Sequence, residues 1–423
     1  MSVPEPARRS RLRRIAIDLT PLRVSRDFRL LYFAGFVSAL GVQVARTAIY
    51  IQVFDLTRST VAVGMIGLTG FVALVLGTLI GSGFIDAHDR RTTLAWTQVA
   101  LMAASALLVI GATMDRSGLW LVFMANAIMA FTSAIDGPAR QAMIPRLVGT
   151  RLLPSAVTLN QVAWQTVSIV GPAVGGVVIA VTGGYALPYW FNLVTYGALL
   201  LAALAMHPMP PERAERVVRG RRAVTEGLGF VRRNRLIQST FVIDLIAMIF
   251  GLPVALFPVI AISQFHRGAA VVGLLFAAPS VGALLQAVAS GWAKHVVRQG
   301  VAVLWSVAGW GAAIAAFGLV GTRLWLALLL LAVAGAADVI SAIFRSTIMQ
   351  VTTPDHLRGR VGALFTLVVT GGPRLGDFEA GVVAQAFSPT ISVVTGGLAC
   401  IVGAGVVAAV YPELRRYRAE VAG

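Results

Sequence analysis

Long stretches without a single Asp, Glu, Lys or Arg recur along this chain: Ser59–Ile85, Thr92–Met114, Ser117–Ile135, Leu152–Pro211, Gly268–Ala293, Gln299–Thr322 and Ala380–Pro412. A helix needs about 20 predominantly apolar residues to cross the hydrocarbon core of a bilayer. Leu152–Pro211 is too long for one crossing, and Gly183, Gly184 and Pro188 divide it into two. The pattern predicts twelve membrane-spanning helices, over about 28–54, 60–85, 93–113, 119–141, 155–181, 187–206, 236–262, 271–293, 300–320, 324–347, 361–386 and 390–411. Strands of about 10 residues with alternating hydrophobicity, the signature of a membrane barrel, are absent. The composition agrees: 57% of residues are hydrophobic, 13% are charged, and 43 of the 423 are glycine. Such a chain is neither disordered nor a set of soluble domains.

The charges then orient the helices. The formal net charge is +17, carried by 34 arginines and one lysine, Lys294. Twelve crossings put both termini on one side. That side collects 29 of the basic residues and the other only four: Arg58, Arg116, Arg267 and Arg323. Arg46 and Arg374 lie within spans. So uneven a split is the positive-inside pattern, with both termini cytoplasmic and the chain multi-pass in the cytoplasmic (inner) membrane. The arginines therefore face a lipid surface, and no nucleic acid partner is expected. The Arg-rich first 27 residues are not a cleavable leader, because the apolar segment after them is too long and more spans follow. Cys400 is the one cysteine, so no disulfide framework or thiol metal site is expected.

A polar stretch at His207–Arg235, with eight arginines and Pro208, Pro210 and Pro211, divides six spans from six. The expected organisation is a basic arm (1–27), a six-helix bundle (28–207), a basic linker (208–235), a second six-helix bundle (236–411) and a tail (412–423). The bundles echo each other. Leu119-Trp120-Leu121 recurs as Leu324-Trp325-Leu326, and Arg140 falls on Arg345 at the same offset; Gly171-Pro172 recurs as Gly372-Pro373. These matches point to a duplicated six-helix unit. Parallel repeats with a site between them are a common transporter architecture.

The turn after span 2, Gly81-Ser-Gly-Phe-Ile-Asp86-Ala-His-Asp-Arg90-Arg91, is short and charged, with glycine on the approach. Asp86 can face a helix N-terminus. Arg90 or Arg91 can pair with a carboxylate on a neighbouring span, with Asp136 the candidate partner. An ordinary positively charged loop is the plain alternative. This turn resembles the signature loop of the major facilitator superfamily. Ser82, Ala87 and Asp89 depart from that signature, and the second-half counterpart, Ser290-Gly-Trp-Ala-Lys294, lacks the acid. The resemblance implies an all-α integral membrane protein, twelve helices in two pseudo-symmetric bundles, that works without a cofactor.

Val170-Gly171-Pro172-Ala-Val-Gly175-Gly176 resembles the motif of facilitator antiporters, which are exporters; Thr158 and Val167 stand where the fuller motif has glycine. Generic close helix packing is the alternative reading. Span 11 carries Arg374, Asp377 and Glu379 within an apolar stretch. An unpaired charge at that depth costs about 2.5–3.5 kcal/mol on insertion scales. Arg374 and Asp377 are three apart, so the expectation is an ion pair on one face. Glu379 points elsewhere and is a candidate proton carrier.

In the superfamily fold, spans 1, 4, 7 and 10 line the cavity. Here each holds an ionisable residue: Arg46, Asp136, Asp244 and Asp338. Structural pairing is the alternative for each, above all for Asp136 and Asp244 near the cytoplasmic ends. Arg46 is a candidate dock for an anionic group on the cargo, and Asp338 and Glu379 are candidate proton sites. Arg140 and Arg345 are expected to anchor the cytoplasmic side. Gln43, Asn126, Asn160, Gln165 and Asn192 can bond cargo or neighbouring helices.

Three further runs resemble the enterobactin-exporter branch of the superfamily: Leu56-Thr-Arg-Ser-Thr-Val-Ala-Val-Gly-Met, Asp136-Gly-Pro-Ala-Arg-Gln-Ala-Met-Ile-Pro and Gln350-Val-Thr-Thr-Pro-Asp-His-Leu-Arg-Gly-Arg-Val. The chain is similar to that branch over essentially its whole length, and to related actinobacterial drug exporters. The resemblance implies proton-driven export of a small molecule, with a siderophore as the named cargo, by a protein that functions as a monomer. Multidrug efflux and small-molecule import are the alternatives. Nothing favours an enzyme or an ATP-driven pump: there is no phosphate-binding Gly-x-x-x-x-Gly-Lys run, and the five histidines are scattered with no metal-ligand spacing.

Overall fold

The structure is a computed structural model that describes residues 18–87, 89–114, 118–210 and 221–419, with side chains characterised except at 82–87 and 221–224. Among the described residues all regular structure is helical. Span 1 is Arg26–Thr57, span 2 Thr60–Ala87, span 3 Arg90–Ala112, span 6 Ala186–Ala205 and span 8 Ala269–Val288. Span 9 is Gln299–Gly318, span 10 Leu324–Thr352, span 11 Asp355–Ala386 and span 12 Pro389–Val410. Spans 4 and 5 are the two arms, 119–148 and 150–182, of the run Leu119–Thr182, which bends at Gly149. Gly149 has φ 71°, a conformation that costs a residue with a Cβ but not glycine.

Three details differ from the sequence expectation. Span 7 is not one helix: Arg235–Phe250 stops, Val254–Leu256 forms a 3₁₀ turn, and Phe257–Ser263 completes the crossing. Pro253 has no N–H to continue the ladder, and the Gly251 carbonyl, which the Ala255 N–H would serve in an unbroken helix, accepts instead from the Trp310 indole at 2.8 Å. Span 8 ends at Val288 and continues as a 3₁₀ segment, Ser290–His295. Ten of the helical runs are long and apolar enough to cross a membrane; Leu119–Thr182 is long enough for two crossings, and Asp355–Ala386 is not among the ten. That last helix holds charges its neighbours must satisfy.

The linker is structured on both sides of the undescribed 211–220. Its start is tied to the first half, where Asp27 accepts from the His207 backbone at 3.1 Å and Arg146 donates to the Pro210 carbonyl at 2.7 Å. Its helix, Arg221–Arg233, lies on the second half. There Gly227 faces Leu364 and Arg360, and Glu226 pairs with Arg360.

Twelve crossings return the chain to the side where it began. The two halves touch on the opposite, far side through spans 2 and 11 and through spans 5 and 8. Small residues make both crossings close. A Cβ on Gly64 would stand 2.7 Å from the Asp377 carbonyl oxygen, and one on Gly67 would strike the Arg374 carbonyl. A Cβ on Gly176 would stand 2.6 Å from the Ala269 carbonyl oxygen, and Gly273 abuts the Pro172 carbonyl. Towards the terminus side, spans 2 and 8 return to their own halves. There Gly77 and Gly81 of span 2 lie against Phe131 and Ile135 of span 4, and Gly282 of span 8 lies against Ala332 of span 10. The described hydrogen bonds between the halves join spans 1 and 2 and the turn between them to span 11, at or beyond mid-depth. The halves thus form a V that is closed on the far side.

Gly67→Leu should wedge this closure open, because overpacking costs about 1–3 kcal/mol. Spin labels at Arg58 and Phe387, on adjacent far-side loops, should report a longer distance in the variant. An unchanged distance distribution would show that the span 2–11 crossing does not hold the V closed.

Candidate functional site

The far-side closure carries a charged cluster. Asp377, buried in span 11, accepts from the Tyr50 hydroxyl of span 1 at 2.6 Å and from the Ala255 N–H at 2.9 Å. Ala255 sits in the 3₁₀ turn after the span 7 break, so that break supplies the free backbone donor. One turn away, Arg374 donates to the Gly70 carbonyl of span 2 at 2.5 Å. Gly70 leaves room: a Cβ there would lie 3.2 Å from the guanidinium. Arg374 and Asp377 therefore do not form the direct ion pair expected from their spacing. Each reaches across to a different helix, and no ion pair between them occurs within 4.0 Å.

Arg46 lies over the Tyr50 ring, 5.8 Å from its centroid. It is exposed, although residues 44, 45 and 47–54 around it are buried. Tyr50 bonds to the other half, so the exposed guanidinium sits beside the junction between the halves.

A second cluster lies within the second half. Arg345 of span 10 is 1% exposed, and its guanidinium reaches Asp244 of span 7 at 2.5 Å and Asp338, two turns up its own helix, at 3.7 Å. Asp244 is fully buried, whereas the Asp338 side chain is 36% exposed. Two carboxylates thus share one cation in a place that disfavours net charge. Arg345, expected to anchor the cytoplasmic side, is thus a buried ion held between two acids.

The first half has a balanced counterpart. Arg140 pairs with Asp136 one turn earlier on span 4 and lies against Gly35 of span 1. Asp136 also accepts from Thr97 at 2.8 Å and Gln98 at 2.7 Å, both on span 3. Asp136 is therefore not latched to the loop after span 2. There Asp89 caps span 3, accepting from Arg91 N–H at 2.8 Å. Arg90 donates to the Ala142 carbonyl at 2.6 Å, and Arg91 to the span 6 carbonyls of Ala203 and Leu204 at 3.1 and 2.6 Å. Basic groups at a helix C-terminus satisfy its free carbonyls. The Asp86 side chain lies outside the described residues.

Glu379 stands apart. It is half-buried, within electrostatic reach of Cys400 on span 12, and has no hydrogen bond or ion pair among the described residues. The Gly171–Gly176 motif serves two neighbours. Gly171 abuts Gln43 and Gly175 abuts Val44 and Thr47, all on span 1, while Pro172 and Gly176 meet Gly273 of span 8. The repeat does the same in the other half, where Gly372 and Gly376 abut Met248 and Ile249 of span 7. Asn126 bonds the Ile66 carbonyl, Asn192 bonds Ser105, and Asn160 bonds back to its own helix. These three amides act in packing. The sequence reading missed Tyr50 and Ala255; an uncharged tyrosine and a backbone N–H carry no pattern, although the Gly251-Leu-Pro253 break was a signal that span 7 has free backbone groups.

Removing one member of a buried ion pair costs about 3–5 kcal/mol. Arg345→Met should accordingly lower the thermal unfolding midpoint sharply in detergent, and Arg345→Met with Asp244→Leu should recover much of it. Equal losses in the single and double variants would show that the pair is not what holds spans 7 and 10. Asp377→Asn changes the acceptor facing Tyr50 and Ala255 and should cost about 1–3 kcal/mol of far-side closure. The same spin-label pair would read this as a shift towards the open population; no shift would remove Asp377 from the closure.

Comparison with known proteins agrees with this architecture. The family described as transmembrane secretion effector matches residues 16–421. Relatives named enterobactin exporter EntS come from Citrobacter koseri, 28% identical over 411 residues (95% of this chain, 96% of the relative), and from Escherichia coli O1:K1, 27% identical over 406 residues (95% and 96%). Among solved structures, a POT family transporter in complex with a thioalcohol-conjugated peptide superposes with TM-score 0.74 at 10% identity, covering 92% of this chain and 97% of that one. A bacterial homologue of the iron transporter ferroportin in an inward-facing state superposes with TM-score 0.70 at 14% identity, covering 92% and 99%. At such identities the likeness is one of fold. With nearly its full length matched and its helices arranged as a facilitator, the chain belongs to the transmembrane secretion effector family of the major facilitator superfamily.

Proposed function

We propose that this transporter exports a small molecule across the cytoplasmic membrane in exchange for protons, by alternating access, with a catechol siderophore as the candidate cargo. The relatives named enterobactin exporters support the direction and the cargo class. The arginine asymmetry supports an orientation with both termini in the cytoplasm. In that orientation, a V closed on the far side is open to the cytoplasm and ready to receive cargo. Arg46, exposed at the junction, is the docking cation for an anionic group.

The observation that carries proton coupling is the sharing of Arg345 by Asp244 and Asp338. With both carboxylates ionised the cluster bears one net negative charge; one proton on Asp338 makes it neutral. Asp338 is the member with exposed surface, so it is the site of proton entry and release. Glu379, unpartnered and half-buried, is the second candidate. Membrane potential supplies about 2.3 kcal/mol per charge per 100 mV, and each pH unit about 1.36 kcal/mol. In the state open to the cytoplasm, cargo binds as the proton leaves; in the state open on the far side, cargo leaves as a proton binds. The halves rock about the span 5–8 crossing at Gly176 and Gly273 and the span 2–11 crossing at Gly64 and Gly67, and the far side opens as the Tyr50–Asp377 contact parts.

The test uses purified protein in sealed liposomes with an imposed pH gradient and a panel of a catechol siderophore, a hydroxamate siderophore, tetracycline and a cationic dye. Cargo-dependent proton leakage is expected with the catechol siderophore. Leakage with tetracycline or dye alone would move the protein to drug efflux, and accumulation down the opposite gradient would make it an importer. Asp338→Asn should abolish gradient-driven efflux while sparing cargo binding, with Glu379→Gln measured beside it. Full activity in Asp338→Asn would reject that carrier. Arg46→Ala should weaken binding of anionic cargo about tenfold, the scale of one charge-assisted hydrogen bond, and leave cationic cargo little changed.

A further inference from the structure

On the outer wall of the second half, spans 9 and 12 do not meet fully at their terminus-side ends. They leave a groove of about 720 Å³. Its floor is apolar, formed by span 9 between 301 and 308 and by span 12 between 401 and 408. Its mouth is ringed by four arginines: Arg298, Arg415, Arg416 and Arg418. All four are exposed, and none has a carboxylate within 4.0 Å among the described residues. Trp305 stands on the rim, 75% exposed.

The mouth is built and not a loose tail. Leu414 is fully buried against Gly300, whose missing side chain lets the tail backbone press onto span 9. Ala419 N–H donates to the Val297 carbonyl at 2.8 Å and pins the far end of the segment. Arg235 takes the tail's one described acid, pairing with Glu413 at 2.8 Å, and lies over Tyr411. The acid is thereby removed from the groove, and three tail arginines and Arg298 are left facing it.

We propose that this groove is a binding site for one anionic phospholipid of the leaflet on the terminus side. The charge is complementary: four guanidinium groups, none with a carboxylate partner among the described residues, gather where a headgroup phosphate would lie, and arginine binds phosphate oxygens through paired N–H donors. The dimensions agree. Residues 301–308 of a helix rise about 10 Å, within the roughly 15 Å half-thickness of the hydrocarbon core, so an acyl chain can follow the apolar floor inward from the mouth. An exposed tryptophan at that depth fits the interfacial belt. A neutral zwitterionic lipid would bring its own cation to the four arginines, so the site selects net negative headgroups. The lipid would brace the tail and the span 9–12 seam on the wall opposite the junction between the halves. This proposal depends on the chain spanning a bilayer, and not on the cargo or the proton carrier.

Two variants separate charge from shape. Arg298→Gln with Arg415→Gln, Arg416→Gln and Arg418→Gln removes the charge. Gly405→Trp fills the groove and keeps every arginine; Gly405 lines the groove, and a Cβ there would meet nothing within 4 Å. Full-length protein would be studied by native mass spectrometry in detergent with cardiolipin, phosphatidylglycerol or phosphatidylcholine added. The wild type should retain one anionic lipid at least tenfold better than phosphatidylcholine. Either variant should lose that preference, and a control with Arg58→Gln, Arg267→Gln and Arg323→Gln on the far side should keep it. Equal retention of phosphatidylcholine by the wild type, an undiminished preference in Gly405→Trp, or displacement of the lipid by millimolar inorganic phosphate would each overturn the proposal.

Discussion

A carboxylate buried where two halves of a membrane protein meet must find all its partners in the protein, because lipid offers none. Asp377 meets that demand with a tyrosine from the first half and a backbone N–H from its own half. Much of the architecture follows from this contact. Span 7 has to break at Pro253, since an unbroken helix would keep the Ala255 N–H for itself. Span 2 has to present Gly64, Gly67 and Gly70 on one face, since larger residues would hold span 11 away. The same approach brings the Arg374 guanidinium to the Gly70 carbonyl, so a cation and an anion of one helix are satisfied by separate neighbours.

The pseudo-symmetry of the halves is kept in packing and broken in charge. Spans 5 and 11 use glycines at matching places to lie against spans 1 and 7, and spans 2 and 8 each lean across on the far side. Arg140 and Arg345 also match, and each turns towards the first span of its own half. Yet Arg140 has one carboxylate, Asp136, whose other oxygen accepts from two neutral donors, a balanced set. Arg345 has two carboxylates and a more complete burial. The duplicated scaffold thus carries one carboxylate beside its matching arginine in the first half and two in the second. That division suits the proposed cycle, in which one bundle carries the titrating group and the other receives the motion through the shared crossings.

The helix count and the duplication were legible because they rest on periodicity and composition; the repeated Trp120 and Trp325 are 60% and 67% exposed at the far-side starts of spans 4 and 10. The candidate site was legible as a set of residues and not as a set of contacts. Arg374 and Asp377 looked like a pair because spacing on one helix is the only neighbour relation visible along a chain. The loop arginines looked like partners for Asp136 for the same reason, when helix-end carbonyls and Arg140 were nearer in space. Tyr50, the residue that joins the halves, looked like any aromatic in an apolar span.

What the sequence by itself determined is the solvent each segment requires and the side of the membrane each loop prefers, because hydropathy and arginine placement act segment by segment. It also determined where backbones can bend or touch, since glycine and proline write that locally. Only the tertiary structure decided which charge answers which. Tyr50 and Asp377 are 327 residues apart, and Arg345 reaches an acid on another helix as well as one on its own. In a medium without water every buried charge takes whichever partner the packed helices bring within reach, and that choice exists only once they are packed.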